Sequence, residues 1–333
     1  MSFSRYAPED SVVSSEAVVT SAWANNLNPL TTFFTSSTYS ELNVNVYQTG
    51  SSLTGAEVQF SLQYAHISGS GSAAINAAAS TTNSPSRIIY GEYRNLIFGT
   101  ETQNFVFNGG VGTTSADFYV INLARSRYKE SLYPGSLRLN LTGTSQSTIL
   151  TDDSTVSSTT NFIGENRYYN IVTIGDLTGT SYGYLFPDLN IIILDCSLID
   201  TLIGLTHTAS SNTASNNALQ IFGAIKSGAS FTLQSSETIS SRYFFTRIKN
   251  GEFNYTTNPS IIDDNGSLIY STLVNSPQTY ITAVGMYNDN NELLAIAKLS
   301  QPLLKDFTKE ALLRIKLSYS WIIGLIGLFS ILV

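Results

Sequence analysis

Hydrophobic and polar residues alternate with period two over several short stretches of the chain. Residues 42–48 read Leu-Asn-Val-Asn-Val-Tyr-Gln, 56–65 read Ala-Glu-Val-Gln-Phe-Ser-Leu-Gln-Tyr-Ala, and 137–141 read Leu-Arg-Leu-Asn-Leu after a turn at Pro134-Gly135. Each predicts a half-buried strand, because successive side chains of a strand point to opposite faces. Residues 117–123 (Asp-Phe-Tyr-Val-Ile-Asn-Leu) and 189–194 (Leu-Asn-Ile-Ile-Ile-Leu) are apolar in both phases and predict internal strands. Shorter strand signals lie at 105–107, 168–174 and 182–186. The period changes at 84–99, where Ile89, Tyr93, Leu96 and Ile97 share one helical face, with Ser86 as cap and Gly99 as terminator. Residues 218–226 predict a second short helix that stops before Gly228, and the small polar stretches 72–86 and 209–217 predict exposed loops.

From Phe231 the pattern is β almost continuously to Leu317, with aromatics at 243–245 and 253–255 on adjacent strands. Residues 280–287 and 293–299 predict a hairpin across the polar turn 288–292. Pro302 is expected to stop that ladder, and 311–317 to supply a further strand. The expected fold is mainly β, a β-rich α+β chain of antiparallel sheets or a sandwich with a few short helices. Four regions follow. Residues 1–141 form an N-terminal β-rich region with one short helix, and 142–235 an inserted β-rich subdomain. Residues 236–319 form a hairpin block sharing a sheet with the N-terminal region, and 320–333 an apolar tail.

Composition narrows the class. Charged residues make up 12% of the chain, about half the ~25% of an average soluble domain. Ser, Thr and Asn supply the polarity instead, and 19 Tyr help bring aromatics to 11%, so disorder is excluded. A weakly charged, tyrosine-rich surface suits burial against other protein subunits, because few ions must be desolvated. The net charge is −7 and the 17 Lys and Arg are scattered, which excludes a track for a nucleic-acid backbone. The single cysteine, Cys196, excludes an intrachain disulfide, fits synthesis in a reducing cytoplasm, and is expected to be a buried, inert thiol. Residues 1–26 lack the basic start and apolar run of a signal peptide. The apolar run from Trp321 to Val333 would cover about 20 Å as a helix, short of the roughly 30 Å hydrocarbon core. It reads as an arm packed on a neighbouring subunit, with membrane contact as the lesser alternative.

Motifs of catalysis and metal binding are weak. His66 ends an alternating strand and His207 opens a Ser/Thr/Asn loop, and neither has a second ligand at helical or hairpin spacing. Asp152-Asp153 and Asp263-Asp264 offer oxygen ligands, but the twelve-residue calcium loop is absent and Asp-Asn-Gly at 264–266 reads as a hairpin turn. Gly109-Gly110-Val-Gly112 lacks the Lys-Ser/Thr of a phosphate loop. Gly179-Thr-Ser-Tyr-Gly183 matches the nucleophile-elbow spacing, but strand rather than helix follows it. No catalytic residue, cofactor, metal or small-molecule ligand is expected.

Three blocks carry a resemblance. They are Tyr243-Phe-Phe-Thr-Arg-Ile-Lys-Asn-Gly-Glu-Phe-Asn-Tyr, Pro277-Gln-Thr-Tyr-Ile-Thr-Ala-Val-Gly-Met-Tyr-Asn-Asp, and the run from Glu292 through Lys305-Asp-Phe-Thr-Lys-Glu to Leu317. With Tyr90-Gly-Glu-Tyr-Arg-Asn-Leu and Asp117 to Gly135 upstream, the chain resembles structural virion proteins of large contractile-tailed phages of the marine cyanophage type. The late block is also similar to attachment domains of tail-collar and tail-fibre proteins. The resemblance implies a non-enzymatic tail or baseplate subunit, made in the host cytoplasm and located in the virion. Its partners would be other copies of itself and other tail or baseplate proteins. A receptor- or glycan-binding module at the tail periphery is the alternative. Arg125, Arg127, Tyr128 and Tyr133, in a loop after an internal strand, and the aromatics Tyr243, Phe253, Tyr255 and Tyr287 are the expected interface residues.

Overall fold

The computed structural model describes the chain except residues 1–2, 6, 37–41, 51–52, 73–83, 108–113, 158, 209–213, 257, 321–328 and 333. The first strands are β1 (Phe3–Arg5), β2 (Ser11–Ser21), β3 (Phe34–Thr35), β4 (Val44–Tyr47) and β5 (Val58–His66), followed by α1 (Pro85–Phe98). Then come β6 (Asp117–Leu123), β7 (Ser131–Leu132), β8 (Arg138–Thr142), β9 (Ser147–Asp152), β10 (Asn161–Ile163), β11 (Asn166–Thr173), β12 (Gly183–Phe186) and β13 (Ile191–Asp195). Helices α2 (Cys196–Ile203) and α3 (Ala214–Gly228) precede β14 (Phe231–Thr232) and β15 (Gln234–Ile248). The last elements are α4 (Thr272–Asn275), β16 (Thr279–Asn288), β17 (Leu293–Lys305), β18 (Ala311–Ser320) and β19 (Phe329–Leu332). The protein is mainly β, and the pairings are antiparallel.

The chain packs into two compact units, Val18–Glu237 and a smaller one combining Met1–Ala17 with Thr238–Val333. In the larger unit one sheet runs in the order β14-β8-β9-β11-β12-β13-β6-β5-β4-β3, with β10 paired to β11. Residues 142–235, expected as an insertion, supply β9 to β14 of this sheet and the helices α2 and α3, and they fall inside this unit. The strands read as internal are central: β6 lies between β13 and β5, and β13 between β12 and β6.

Alternation along these strands sorts the core into two layers. Tyr119, Ile121, Ile192 and Leu194 face one side with Ile199 and Ile203 of α2 and Ile221 and Ile225 of α3. Phe118, Val120, Ile191 and Ile193 face the other with Ile89, Tyr90, Tyr93 and Ile97 of α1. The sheet is therefore covered on both faces, which is why its central strands show no polar phase. Gly228 allows the last turn of α3 to approach β8, since a Cβ there would lie 2.0 Å from the Asn140 carbonyl. The sheet also curls. Leu30, on the segment leading to β3, exchanges two hydrogen bonds of 2.9 Å with Phe231 of β14 at the opposite rim. The Trp23 indole donates to the same Phe231 carbonyl at 2.7 Å.

Several expectations change here. Ser84, not Ser86, is the N-cap residue of α1, and the Ser86 hydroxyl donates instead to the Ser70 carbonyl. Gly99 does end the helix, in the left-handed conformation that favours glycine. Leu96 is 49% exposed, and Tyr90 takes its place on the buried face. Phe105 and Phe107 are buried against α1 but form no strand. The 3-residue pattern was too short to separate a strand from an extended packed segment. The loop expected at 72–86 falls largely outside the described residues, as do 209–213, the glycine-rich 108–113 and most of the apolar tail.

In the smaller unit β18 pairs with β15 from Ile239↔Ser320 to Ile248↔Ala311, and β2 also belongs to that sheet. A second sheet has the order β1-β19-β16-β17. Phe244, Val284, Met286 and Ile315 form a small core, with Ala295, Ala297, Leu313 and Leu317 packed against it. The expected hairpin is present, with β16 and β17 joined across 289–292. Pro302 does not stop it. β17 runs on to Lys305, and the register slips between Ile281 and Ala283, whose partners are Leu303 and Lys298. Pro302 thus sits in a bulge, where its missing N–H breaks no ladder bond. The second aromatic group is not strand either: β15 ends at Ile248, and Phe253 has φ +53°. The turn at 263–266 is present, closed by an Ile262↔Leu268 bridge with Gly266 at φ +80°. Of the tail, Phe329–Leu332 is strand β19, and no helix among the described residues is long and apolar enough to cross a membrane.

Candidate functional site

The expected interface residues fall in three places. Arg125 and Arg127 lie on a 3-10 turn after β6, where the Arg125 guanidinium sits 4.8 Å over the Tyr128 ring and donates to the Tyr128 carbonyl at 3.0 Å. Arg127 pairs with Glu57 at 2.7 Å, and Tyr128 packs against the main core. This group largely satisfies itself, leaving the Arg125 side chain and the nearby Tyr133 exposed. Tyr243 is half-buried under Arg314 at 5.4 Å and Lys316 at 5.7 Å. Phe253 and Tyr255 belong to the loop after β15, with the Tyr255 hydroxyl donating to the Gly266 carbonyl, and Tyr287 is a half-buried residue of β16.

The larger unit holds a buried polar cluster that sequence reasoning missed. His207, in the loop after α2, donates from Nε2 to Asp117 Oδ2 at 2.8 Å and from Nδ1 to Asp200 Oδ2 at 2.6 Å. The Tyr64 hydroxyl donates to the same Asp117 oxygen at 3.1 Å. The His207 backbone N–H donates to Asp200 at 3.0 Å, and the Asn217 side chain ties down Thr208 through its N–H and its carbonyl. Hydrogen bonds donated to two carboxylates hold the imidazole charged, with its pKa raised to about 10 against the opposing cost of burial. Burial, then the Asp117 carboxylate, push the Tyr64 phenol far up. Burial also raises the Cys196 thiol well above its ordinary value, and the nearby carboxylates add to the effect. The expectation of a buried, inert thiol agrees with this placement.

The chemistry of this cluster is restrictive. Both imidazole nitrogens are donors, so neither offers a lone pair to a metal or to a substrate proton. Among the described residues no group of three or more His, Cys, Asp or Glu is arranged to hold a metal ion. His66 stands opposite Asp117 in the β5–β6 ladder, but its Nδ1 accepts from the backbone of Ser68 and Ser70. Asp152 and Asp153, weighed as cation ligands, accept from the Gly135 and Ser154 N–H groups and from the Asn170 backbone and side chain, and so fasten loops. Ser181 of the elbow-like spacing is buried and donates to the Gly183 carbonyl. The cluster is a clamp that fastens the α2–α3 connection to β5 and β6.

Exposed apolar surface points elsewhere. More than half of the large apolar side chains that are exposed among the described residues belong to the smaller unit. Leu293, Leu294 and Ile296 of β17 are the densest run, with Tyr280 on the paired strand. β17 is the rim strand of its sheet, and among the described residues it pairs only with β16. No family model, curated protein or solved structure matches the chain.

Proposed function

We propose that the chain is a non-enzymatic structural subunit of a tailed-phage virion, in the tail or baseplate, that acts by assembly. The observation that carries this reading is the exposed apolar rim of the smaller unit, Leu293, Leu294 and Ile296 on a strand that pairs only with β16 among the described residues. Contiguous exposed apolar side chains beside unpaired strand groups are what a protein partner covers. The low charge supports the same reading, since burying this surface strands few ions. The sequence resemblance supplies the particle, and the fold supplies the surface.

Mass spectrometry of purified particles from a phage carrying the gene tests this. The chain should be present at a fixed ratio to the tail-sheath protein, and Leu294→Lys with Ile296→Lys should remove most of it from the particles. A chain found only in the host lysate would end the assembly reading.

A further inference from the structure

The outer face of the β15–β18 ladder gathers positive charge in a chain whose net charge is −7. We propose that this face is a second docking surface, and that its occupant is a protein partner presenting clustered carboxylates. The inference deepens the assembly reading above and rests on it by naming the chemistry of a partner.

The ladder is unbroken from Ile239↔Ser320 to Ile248↔Ala311, so alternation assigns each side chain to one face. Phe244 and Ile315, a directly opposed pair, point inward to the small core. The other phase sets Tyr243 opposite Lys316, Phe245 opposite Arg314 and Arg247 opposite Leu312. Arg247, Arg314 and Lys316 are exposed, Leu312 is 61% exposed, and Tyr243 and Phe245 are half-buried.

The paired segments Ile239–Ile248 and Ala311–Ser320 contain Arg242, Arg247, Arg314 and Lys316 but no Asp or Glu. Among the described residues Arg247, Arg314 and Lys316 form no ion pair. Glu16, which β2 brings to the same sheet, forms none either. Arg314 and Lys316 instead both lie over the Tyr243 ring, at 5.4 Å and 5.7 Å. The face of the ring attracts the two like charges but does not neutralise them. An anion arriving from solvent therefore meets both cations first, and the covered ring is not open for a sugar to stack on.

The apolar neighbours decide the class of anion. Leu312 lies two residues from Arg314 on the same face, and Phe245 lies directly opposite Arg314. An occupant must cover this leucine and this ring as well as meet three cations. A strand or helix that offers carboxylates among apolar side chains does both, and Arg, Tyr and Phe are enriched at such protein interfaces. A nucleic-acid backbone or a sulfated glycan answers only the charges. The net negative charge of the chain also opposes extended polyanions and anionic membranes, whereas a compact acidic patch needs contact only within the Debye length of about 10 Å.

Fluorescence anisotropy of a short labelled peptide alternating Glu and Leu, titrated with the full chain at several salt concentrations, tests the proposal. A matching peptide alternating Gln and Leu controls for purely apolar binding. The Glu peptide is expected to bind more tightly than the Gln peptide and to weaken with salt. Arg314→Glu with Lys316→Glu should weaken it by on the order of tenfold. The milder Lys316→Gln should act in the same direction, so the test stands even where the double reversal unfolds the chain. Equal binding of the two peptides, or binding indifferent to these substitutions, overturns the proposal. Heparin or phosphatidylglycerol vesicles held more tightly than the Glu peptide through the same residues also overturn it. The two readings fail separately. A chain absent from particles removes the assembly reading whatever it binds in solution, and a chain built into particles that ignores the Glu peptide removes only this surface.

Discussion

His207 shows how strongly two carboxylates hold one side chain. Its folded pKa, about 10, lies above the ordinary imidazole value of 6.5. The ion-pair contribution is therefore fully present below about 6.5 while Asp117 and Asp200 are ionised, shrinks as pH rises, and is gone above about 10. His207→Ala should cost about 1–3 kcal/mol near pH 6, because it takes the charged imidazole donors away from two largely buried carboxylates. Urea unfolding of both proteins from pH 6 to pH 10 checks this, and a difference that grows with pH would refute it. None of this was legible in the sequence. Tyr64, Asp117, Asp200 and His207 come from two strands, a helix and a loop, and a cluster assembled by tertiary packing has no local spacing to read. Cys196 was legible, because an apolar neighbourhood in sequence became a fully buried one in space.

Elements were legible where the period was long and failed where it was short. The alternation at 56–65 and the double-phase run at 117–123 became β5 and β6 within two residues of the expected bounds. The helix at 84–99 was also readable, but its apolar face was not fully so. Leu96 and Ile97 are adjacent, and only Ile97 points at the sheet. Ile97→Ala should lose about 2–5 kcal/mol, whereas Leu96→Ala should stay within about 0.5 kcal/mol of the parent. Thermal or chemical denaturation of the two variants decides it, and equal losses would mean that the face is drawn wrongly. Pro302 was misjudged for a different reason. Proline excludes a paired N–H but not a bulge on a rim strand, and which strand forms the rim is a property of the whole sheet.

At the scale of the molecule, the closure of the large sheet was invisible in sequence. The Phe231 ring packs at a tilt against Trp23 at 4.7 Å and edge-to-face against Phe60 at 5.5 Å, while its backbone bonds Leu30. Phe231→Ala keeps the backbone bonds and removes the ring from this junction. It should cost about 3–5 kcal/mol by denaturant unfolding. A loss under 1 kcal/mol would mean that the junction closes without its aromatic core. Mainly-β character, by contrast, followed from composition and alternation alone, because both are summed over the chain and tolerate local error.

The same junction sets an order of events during synthesis. Trp23 finds its acceptor 208 residues later, so at ribosomal speeds of about 5–20 residues per second it waits roughly 10–40 seconds for that partner to be made. The smaller unit waits longer still, since it joins Met1–Ala17 to residues from Thr238 onward. The rim that is exposed on the finished protein is therefore also among the last segments to take shape. A nascent chain presents this exposed apolar strand only after the large sheet has had time to close.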